Sequence, residues 1–245
     1  MSKTLSGKTA FVTGGSRGIG AAIVHRLAKE GARVAFTYAA SADKATALAE
    51  EIGATGGAAL PIEADSGHPD ALQAAIRRAA ERFGGIDILV NNAGILIRGM
   101  VDDYALSDFD RMLAVNIRGV FVAVQAALPH MSRGGRIITT GSVAADRAGF
   151  AGASVYSMTK AALAALTRGL ARDLGPRGIT VNIVEPGPTE TDMNIREYHD
   201  MLKPLMAVGR MGKDTEIASL VAYLAGPETD FITGAALTID GGYLA

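Results

Sequence analysis

Tyr156 and Lys160 stand four residues apart in a stretch, Ser154 to Leu174, whose apolar spacing predicts a long helix. An i, i+4 pair shares one helix face, so the ammonium lies beside the phenol. A free tyrosine, with a pKa of about 10, is too weak an acid near neutral pH, and a neighbouring cation favours the phenolate and lowers that value. The pair is suited to giving a proton to a nascent alkoxide. A second signal is glycine. Thr13-Gly14-Gly15-Ser16-Arg17-Gly18-Ile19-Gly20 follows a short apolar run and opens a segment in which Ile19, Ile23, Val24 and Leu27 recur at helical spacing. Glycines at such a turn remove the Cβ atoms that would keep a pyrophosphate from the helix N-terminus. Gly14, Ser16, Arg17, Gly18, Ile19 and Gly20 are therefore expected to hold a dinucleotide.

Strands and helices must alternate to position these groups. Thr9 to Thr13 reads as a strand and Gly18 to Glu30 as a helix stopped by Gly31. Strands follow at Val34 to Tyr38, Ala58 to Ile62, Asp87 to Val90, Arg136 to Thr140 and Thr180 to Val184. Helices are expected between them at Asp43 to Ile52, Pro69 to Phe83 and about Ser107 to Leu128. Continuously apolar strands separated by amphipathic helices imply an α/β fold, a single doubly wound parallel sheet of Rossmann type with helices on both faces. Ligands then belong at the carboxyl ends of the strands. The whole chain, 1–245, reads as one dinucleotide-binding and catalytic domain. Thr189 to Met211 is long, Met-rich and aperiodic, and is expected to be a mobile substrate lid.

Composition removes several other chemistries. The chain has 245 residues, 24 Lys+Arg against 25 Asp+Glu and no Cys, so a disulfide framework, a thiolate nucleophile and a Cys-ligated metal are excluded. His25, His68, His130 and His199 lack metal-ligand spacing, and no metal is expected. Near-neutral charge without a long basic run argues against a nucleic-acid or polybasic membrane partner. Met1 to Lys8 has no apolar signal region, which points to a cytoplasmic protein. Thr140-Gly141-Ser142-Val143-Ala144 lacks the Gly after Ser that a hydrolase nucleophile elbow requires.

The Gly-x3-Gly-x-Gly spacing, Asn91-Asn92-Ala93-Gly94, Asn116, Ser142, Tyr156-Ser157-Met158-Thr159-Lys160 and Pro186-Gly187, in that order, resemble the short-chain dehydrogenase/reductase family along essentially the whole chain. The resemblance implies that Tyr156 is the acid/base group and that Ser142 hydrogen-bonds the substrate carbonyl. It implies too that Asn116 holds a helix distortion and a water relaying protons to Lys160. Tyr156 and Lys160 also touch the cofactor in that family. By the same resemblance Asn92, Ala93 and Gly94 meet the adenosine, Asp65 and Ser66 hold the adenine, and Pro186, Gly187, Thr189 and Thr191 pass the nicotinamide carboxamide. Asp65 could equally serve as a helix cap ahead of Pro69. The cofactor's phosphate state follows from charge. A ribose 2′-hydroxyl calls for a carboxylate at the end of the second strand, which a 2′-phosphate would repel. That strand ends Thr37-Tyr38-Ala39-Ala40-Ser41 with no acid, and Arg17 resembles the phosphate-reaching arginine of NADP-using members. NADP(H) is expected, with Tyr38, Ala39 and Ser41 around the phosphate.

Leu96, Ile97, Val143, Ala144, Phe150, Met193 and Met201 are the expected pocket wall, suited to a ketone or aldehyde with a hydrophobic body, and no anchor for a charged substrate is visible. The segment Val143 to Val155 is one residue longer than in the 3-oxoacyl-acyl-carrier-protein reductases that the chain resembles, so the wall from Asp146 to Ala153 is expected to differ. Arg133 and Arg177 fall where those reductases receive the acidic carrier, which makes a 3-oxoacyl thioester and an acyl carrier protein the alternative substrate and partner. A third reading, from another class, rests on Ala171-Arg172-Asp173-Leu174-Gly175-Pro176-Arg177-Gly178 and Glu185-Pro186-Gly187-Pro188, which resemble a bacterial cyclic-di-GMP-binding relative. The family resemblance also implies a homotetramer. Glu185, at a buried strand end, must be paired, hydrogen-bonded or neutral, and it is given no catalytic role.

Overall fold

The computed structural model describes residues 3–191 and 199–245. Seven parallel strands form one sheet in the order β3-β2-β1-β4-β5-β6-β7, with β1 Thr9–Val12, β2 Arg33–Tyr38, β3 Ala58–Glu63, β4 Ile88–Asn91, β5 Arg136–Thr140, β6 Thr180–Pro186 and β7 Ala236–Ile239. The order reverses beside β1, where β2 lies on one side and β4 on the other. That switch point leaves a crevice beyond the strand ends. Helices α1 Gly18–Lys29, α2 Ala42–Ala54, α3 Pro69–Phe83, α4 Leu106–Leu113, α5 Gly119–Ala127, α6 Ser154–Leu174, α7 His199–Leu202 and α8 Asp214–Ala225 supply the crossovers and cover the sheet.

Side chains alternate across the sheet and meet two cores. Phe11, Leu89 and Ile137 face a layer with Leu72, Ile76 and Val124, drawn from α3 and α5. Ala10, Val12, Ile88, Val90 and Ile138 face the other way, onto Ile23, Leu27 and Val221 of α1 and α8. Both faces of the central strands β1, β4, β5 and β6 are thus dry, which is why they read as unbroken apolar runs.

Three features depart from the expected elements. The single helix expected over Ser107 to Leu128 is α4 and α5 joined by a π-helical turn, Ala114–Arg118, with Asn116 at its centre. Leu106–His130 is long and apolar enough to cross a membrane, yet Val120, Val122, Ala123, Val124 and Ala127 are buried inside the protein, as in a core helix. Helix α8 was not expected at all. It buries Ile217, Val221 and Leu224, and its start is secured by the Glu216 carboxylate, which accepts from the Lys213 N–H at 2.8 Å. Of the expected lid, residues 192–198 lie outside the described residues. The remainder includes α7 and buries Leu202, Met206 and Met211 against Val143 and Tyr243.

Candidate active site

A cleft of about 410 Å³ opens at the carboxyl ends of the strands and runs from the β1–α1 turn to the loops after β4 and β5. Its floor is the glycine turn. Gly14 has φ +65, and its N–H donates to the Thr37 hydroxyl at 3.0 Å, while the Gly15 N–H donates to the Thr37 carbonyl at 2.8 Å. A Cβ on Gly20 would stand 2.1 Å from the Gly14 carbonyl oxygen and 2.5 Å from the Asn92 amide nitrogen. Backbone packing therefore fixes Gly20 as glycine, and the first turn of α1 closes onto β1. The Asn92 side chain spans this junction, donating to the carbonyls of Thr13 at 3.2 Å and Gly14 at 3.0 Å. It ties the glycine turn to the end of β4, so the Asn92 amide holds the cleft's shape.

Tyr38, Ala39, Ala40 and Ser41 line the cleft where β2 ends, as do Ser16 and Arg17 of the glycine turn. Among the described lining residues the sole carboxylate is Asp65, and it is already engaged. One oxygen accepts from the Gly67 N–H at 2.8 Å and the other from Arg111 at 2.7 Å. Burial pushes this carboxyl up, but the Arg111 and Gly67 hydrogen bonds outweigh it and leave Asp65 below its ordinary value. The helix-cap alternative is only half met, because Asp65 bonds its own turn and a distant arginine while His68 stands at the α3 N-cap. A glycine floor, a helix N-terminus and a mouth without a free acid fit a dinucleotide carrying a 2′-phosphate.

Ser142, Tyr156 and Lys160 line the other half of the cleft. Ser142 follows β5 and caps the short 3₁₀ turn Val143–Ala145, its hydroxyl oxygen accepting from the Ala144 N–H at 3.1 Å. Tyr156 and Lys160 project from the first two turns of α6. The lysine Nζ lies 5.6 Å from the Tyr156 ring centroid and donates to the Thr140 carbonyl at 2.9 Å. Burial lowers the Lys160 pKa to about 8. Burial also pushes the Tyr156 phenol up, against a hydrogen bond from Ser142 that pulls it down. The expected lowering by the lysine cation is therefore not the dominant influence here, because the phenol is desolvated and the ammonium is turned toward Thr140. Asn116, in the π turn, is buried behind them. Its amide exchanges two hydrogen bonds of 2.9 Å with the Ile95 backbone and donates to the Thr159 hydroxyl at 3.1 Å. A Cβ on Gly94 would lie 3.6 Å from both Asn116 Oδ1 and Lys160 Nζ, so the carbonyl of Asn116 and the lysine share this glycine's open side.

Ser66, Ala93, Gly94, Pro186, Gly187 and Thr191 also line the cleft, as do Gly18 and Ile19. Thr189 does not: it is buried, and its hydroxyl turns back to the Gly187 carbonyl at 2.9 Å. On the expected wall, Leu96, Val143, Ala144 and Phe150 are present, whereas Ile97 and Met201 lie off it and Met193 falls outside the described residues. Arg98, Arg147, Leu202 and Tyr243 complete it, none of them signalled by local sequence pattern. Glu185 is buried behind the site, its carboxyl pushed up by burial and by Asp146 against the pull of Arg168. Arg177 donates to the Leu128 carbonyl at 2.8 Å and thereby caps the end of the α5 segment. Among the described residues no group of three or more His, Asp or Glu side chains could hold a metal.

A family model described as enoyl-(acyl carrier protein) reductase matches residues 14–244. A cyclic-di-GMP-binding biofilm dispersal mediator protein from Escherichia coli is 48% identical over 97% of this chain and 98% of the relative. The 3-oxoacyl-[acyl-carrier-protein] reductase of Staphylococcus aureus is 40% identical over 96% of this chain and 97% of the relative. A Burkholderia cenocepacia short-chain dehydrogenase solved in complex with NADP is 55% identical, covers 99% of this chain and 100% of its own, and superposes with a TM-score of 0.97. With a reversed-order parallel sheet, a glycine-floored cleft and a Ser–Tyr–Lys group facing it, the chain belongs to the short-chain dehydrogenase/reductase family of oxidoreductases.

Proposed function

We propose that this chain is an NADPH-dependent carbonyl reductase that interconverts a ketone or aldehyde with its alcohol. The observation that carries the reading is that Ser142 and Tyr156 both line the wall of a cleft whose other half suits a 2′-phosphorylated dinucleotide. Two hydroxyl donors on one wall match a single substrate oxygen on which negative charge develops. Bound NADPH would supply the hydride, with Arg17, Ser41 and the glycine turn holding its phosphates.

Ser142 donates a hydrogen bond to the substrate carbonyl and polarises it. The Tyr156 O–H donates its proton to the oxygen as it becomes an alkoxide. Burial keeps the phenol protonated but weakens it as an acid, so proton donation depends on stabilisation of the phenolate as it forms. Lys160, when charged, stabilises the phenolate left behind, and Asn116 fixes the π turn and the β4 loop around that ammonium. Removal of Tyr156 then leaves binding but no proton.

The test is steady-state oxidation of NADPH and NADH with a panel of ketones and a 3-oxoacyl thioester. Carbonyl-dependent consumption that prefers NADPH supports the reading, and the panel separates a general ketone reductase from a thioester reductase. The latter draws support from the 40%-identical reductase, although Arg177, one of its two expected carrier contacts, is engaged as a helix cap. Absence of turnover with every carbonyl, together with tight cyclic-di-GMP binding, would favour the regulatory reading suggested by the 48%-identical relative.

A further inference from the structure

Among the described residues five cations line the cleft, its lysine included. Arg17 stands at the glycine turn, Arg111 holds Asp65, and Lys160 bonds Thr140. Arg98 and Arg147 stand apart from these three. Both line the substrate half, on the loops after β4 and β5, and both are exposed. Each guanidinium is set over an aromatic ring: Arg98 lies 5.4 Å from the Phe150 centroid and Arg147 4.9 Å from the Tyr243 centroid. Stacking restricts where each fork points and lowers the entropy lost when it meets an anion.

The scaffold beneath these rings is itself tied down. The Gly99 N–H donates to the Gly152 carbonyl at 3.1 Å, joining the two loops, and Arg147 donates to the Tyr243 carbonyl at 3.0 Å. Tyr243 is 4% exposed, wedged among Val143, Leu202, Met206 and Met211. No carboxylate lines this half of the cleft among the described residues, since Asp65 sits at the other end with Arg111. Two oriented cations without an acid between them make a site for negative charge.

We propose that the substrate is a carbonyl compound bearing an anionic group, a carboxylate or a phosphate, several bonds from the C=O, and that Arg98 and Arg147 receive that group. The proposal rests on the carbonyl-reductase reading and names the substrate class of the same site. Ser142 and Tyr156 then grip the carbonyl oxygen while the arginines fix the far end, so specificity resides in the distance between the two.

The test uses NADPH and a series of methyl-ketone carboxylic acids of graded length, each beside its methyl ester, together with the matching oxoalkyl phosphates. At the best length kcat/KM is expected to favour the anion over the ester by about tenfold to a hundredfold, mainly through KM, the range for a charge-assisted hydrogen bond. Arg98→Gln and Arg147→Gln should each lower that ratio about tenfold, Arg98→Lys should recover part of it, and added salt should weaken it. NADPH titration of each variant checks that the cleft remains folded. Acid and phosphate series distinguish the two anions. If esters are reduced as efficiently as the anions at every length, or if the glutamines leave the ratio unchanged, the proposal is overturned. If neither ester nor anion is reduced although NADPH binds, the carbonyl-reductase reading falls first and the proposal falls with it.

Discussion

The two halves of the cleft are built by opposite means. In the nucleotide half, shape comes from backbone: Gly14 at φ +65, Gly20 closed onto the Gly14 carbonyl, and the Thr37 hydroxyl and carbonyl receiving consecutive N–H groups. In the substrate half, shape comes from side chains on loops, with Arg98, Phe150, Arg147 and Tyr243 stacked in pairs. A backbone cradle is matched to one ligand and tolerates little change. A side-chain wall on tied loops can be altered without unmaking the sheet.

The largest effect should come where the halves meet. Tyr156→Phe removes the proposed proton donor but not the ring, so kcat/KM for a ketone is expected to fall by about 10²- to 10⁴-fold while NADPH affinity, read by fluorescence titration, changes little. Loss of binding in parallel with turnover would mean that the phenol serves structure instead. Within the backbone half, Gly20→Ala places a methyl group 2.1 Å from the Gly14 carbonyl oxygen. NADPH affinity should drop about tenfold to a hundredfold and the melting temperature should fall, as expected of overpacking worth roughly 1–3 kcal/mol. An alanine tolerated without cost would break the contrast between the halves.

A smaller change is expected from Arg17→Gln, which removes the cation proposed to meet a 2′-phosphate. The ratio of kcat/KM for NADPH over NADH should fall about tenfold, with the NADH value nearly unaltered. Equal losses with both cofactors would assign Arg17 to the shared pyrophosphate. The gentlest prediction concerns pH. With its pKa lowered to about 8, Lys160 loses its charge as pH rises through that value, so ketone reduction should decline above about pH 8. Folding responds with the opposite sign. Between about pH 8 and its ordinary value of 10.5 this lysine binds more protons unfolded than folded, so its contribution makes the protein more stable as pH rises. Lys160→Met should abolish both dependences, measured by initial rates and by melting temperature against pH.

Much of the backbone half was legible in the sequence because glycine acts by what it lacks, and a missing Cβ is visible in one dimension. The same holds for the strands: dry faces on both sides demand unbroken apolar runs such as Ile137-Ile138 and Leu89-Val90. What escaped is contact between distant segments. Asp65 meets Arg111 across 46 residues, and no local pattern announces the pair. Arg98 and Arg147 carry no local signal because their orientation depends on rings that only folding brings beneath them. Thr189 and Thr191 are equivalent by type, and only the turn after β6 sends the first hydroxyl back to Gly187 and leaves the second in the cleft. Helix α8 was hidden by the aperiodic segment before it, although Ile217, Val221 and Leu224 carry helical spacing.

The most direct test of carbonyl reduction is to trace the hydride itself. With NADPH deuterated at both C4 positions and an α,β-unsaturated ketone as substrate, two hydroxyl donors on the carbonyl oxygen predict deuterium on the carbinol carbon of an allylic alcohol, lost in Tyr156→Phe. Deuterium on the β-carbon of a saturated ketone, or an oxidised cofactor with no deuterated product, would contradict the account.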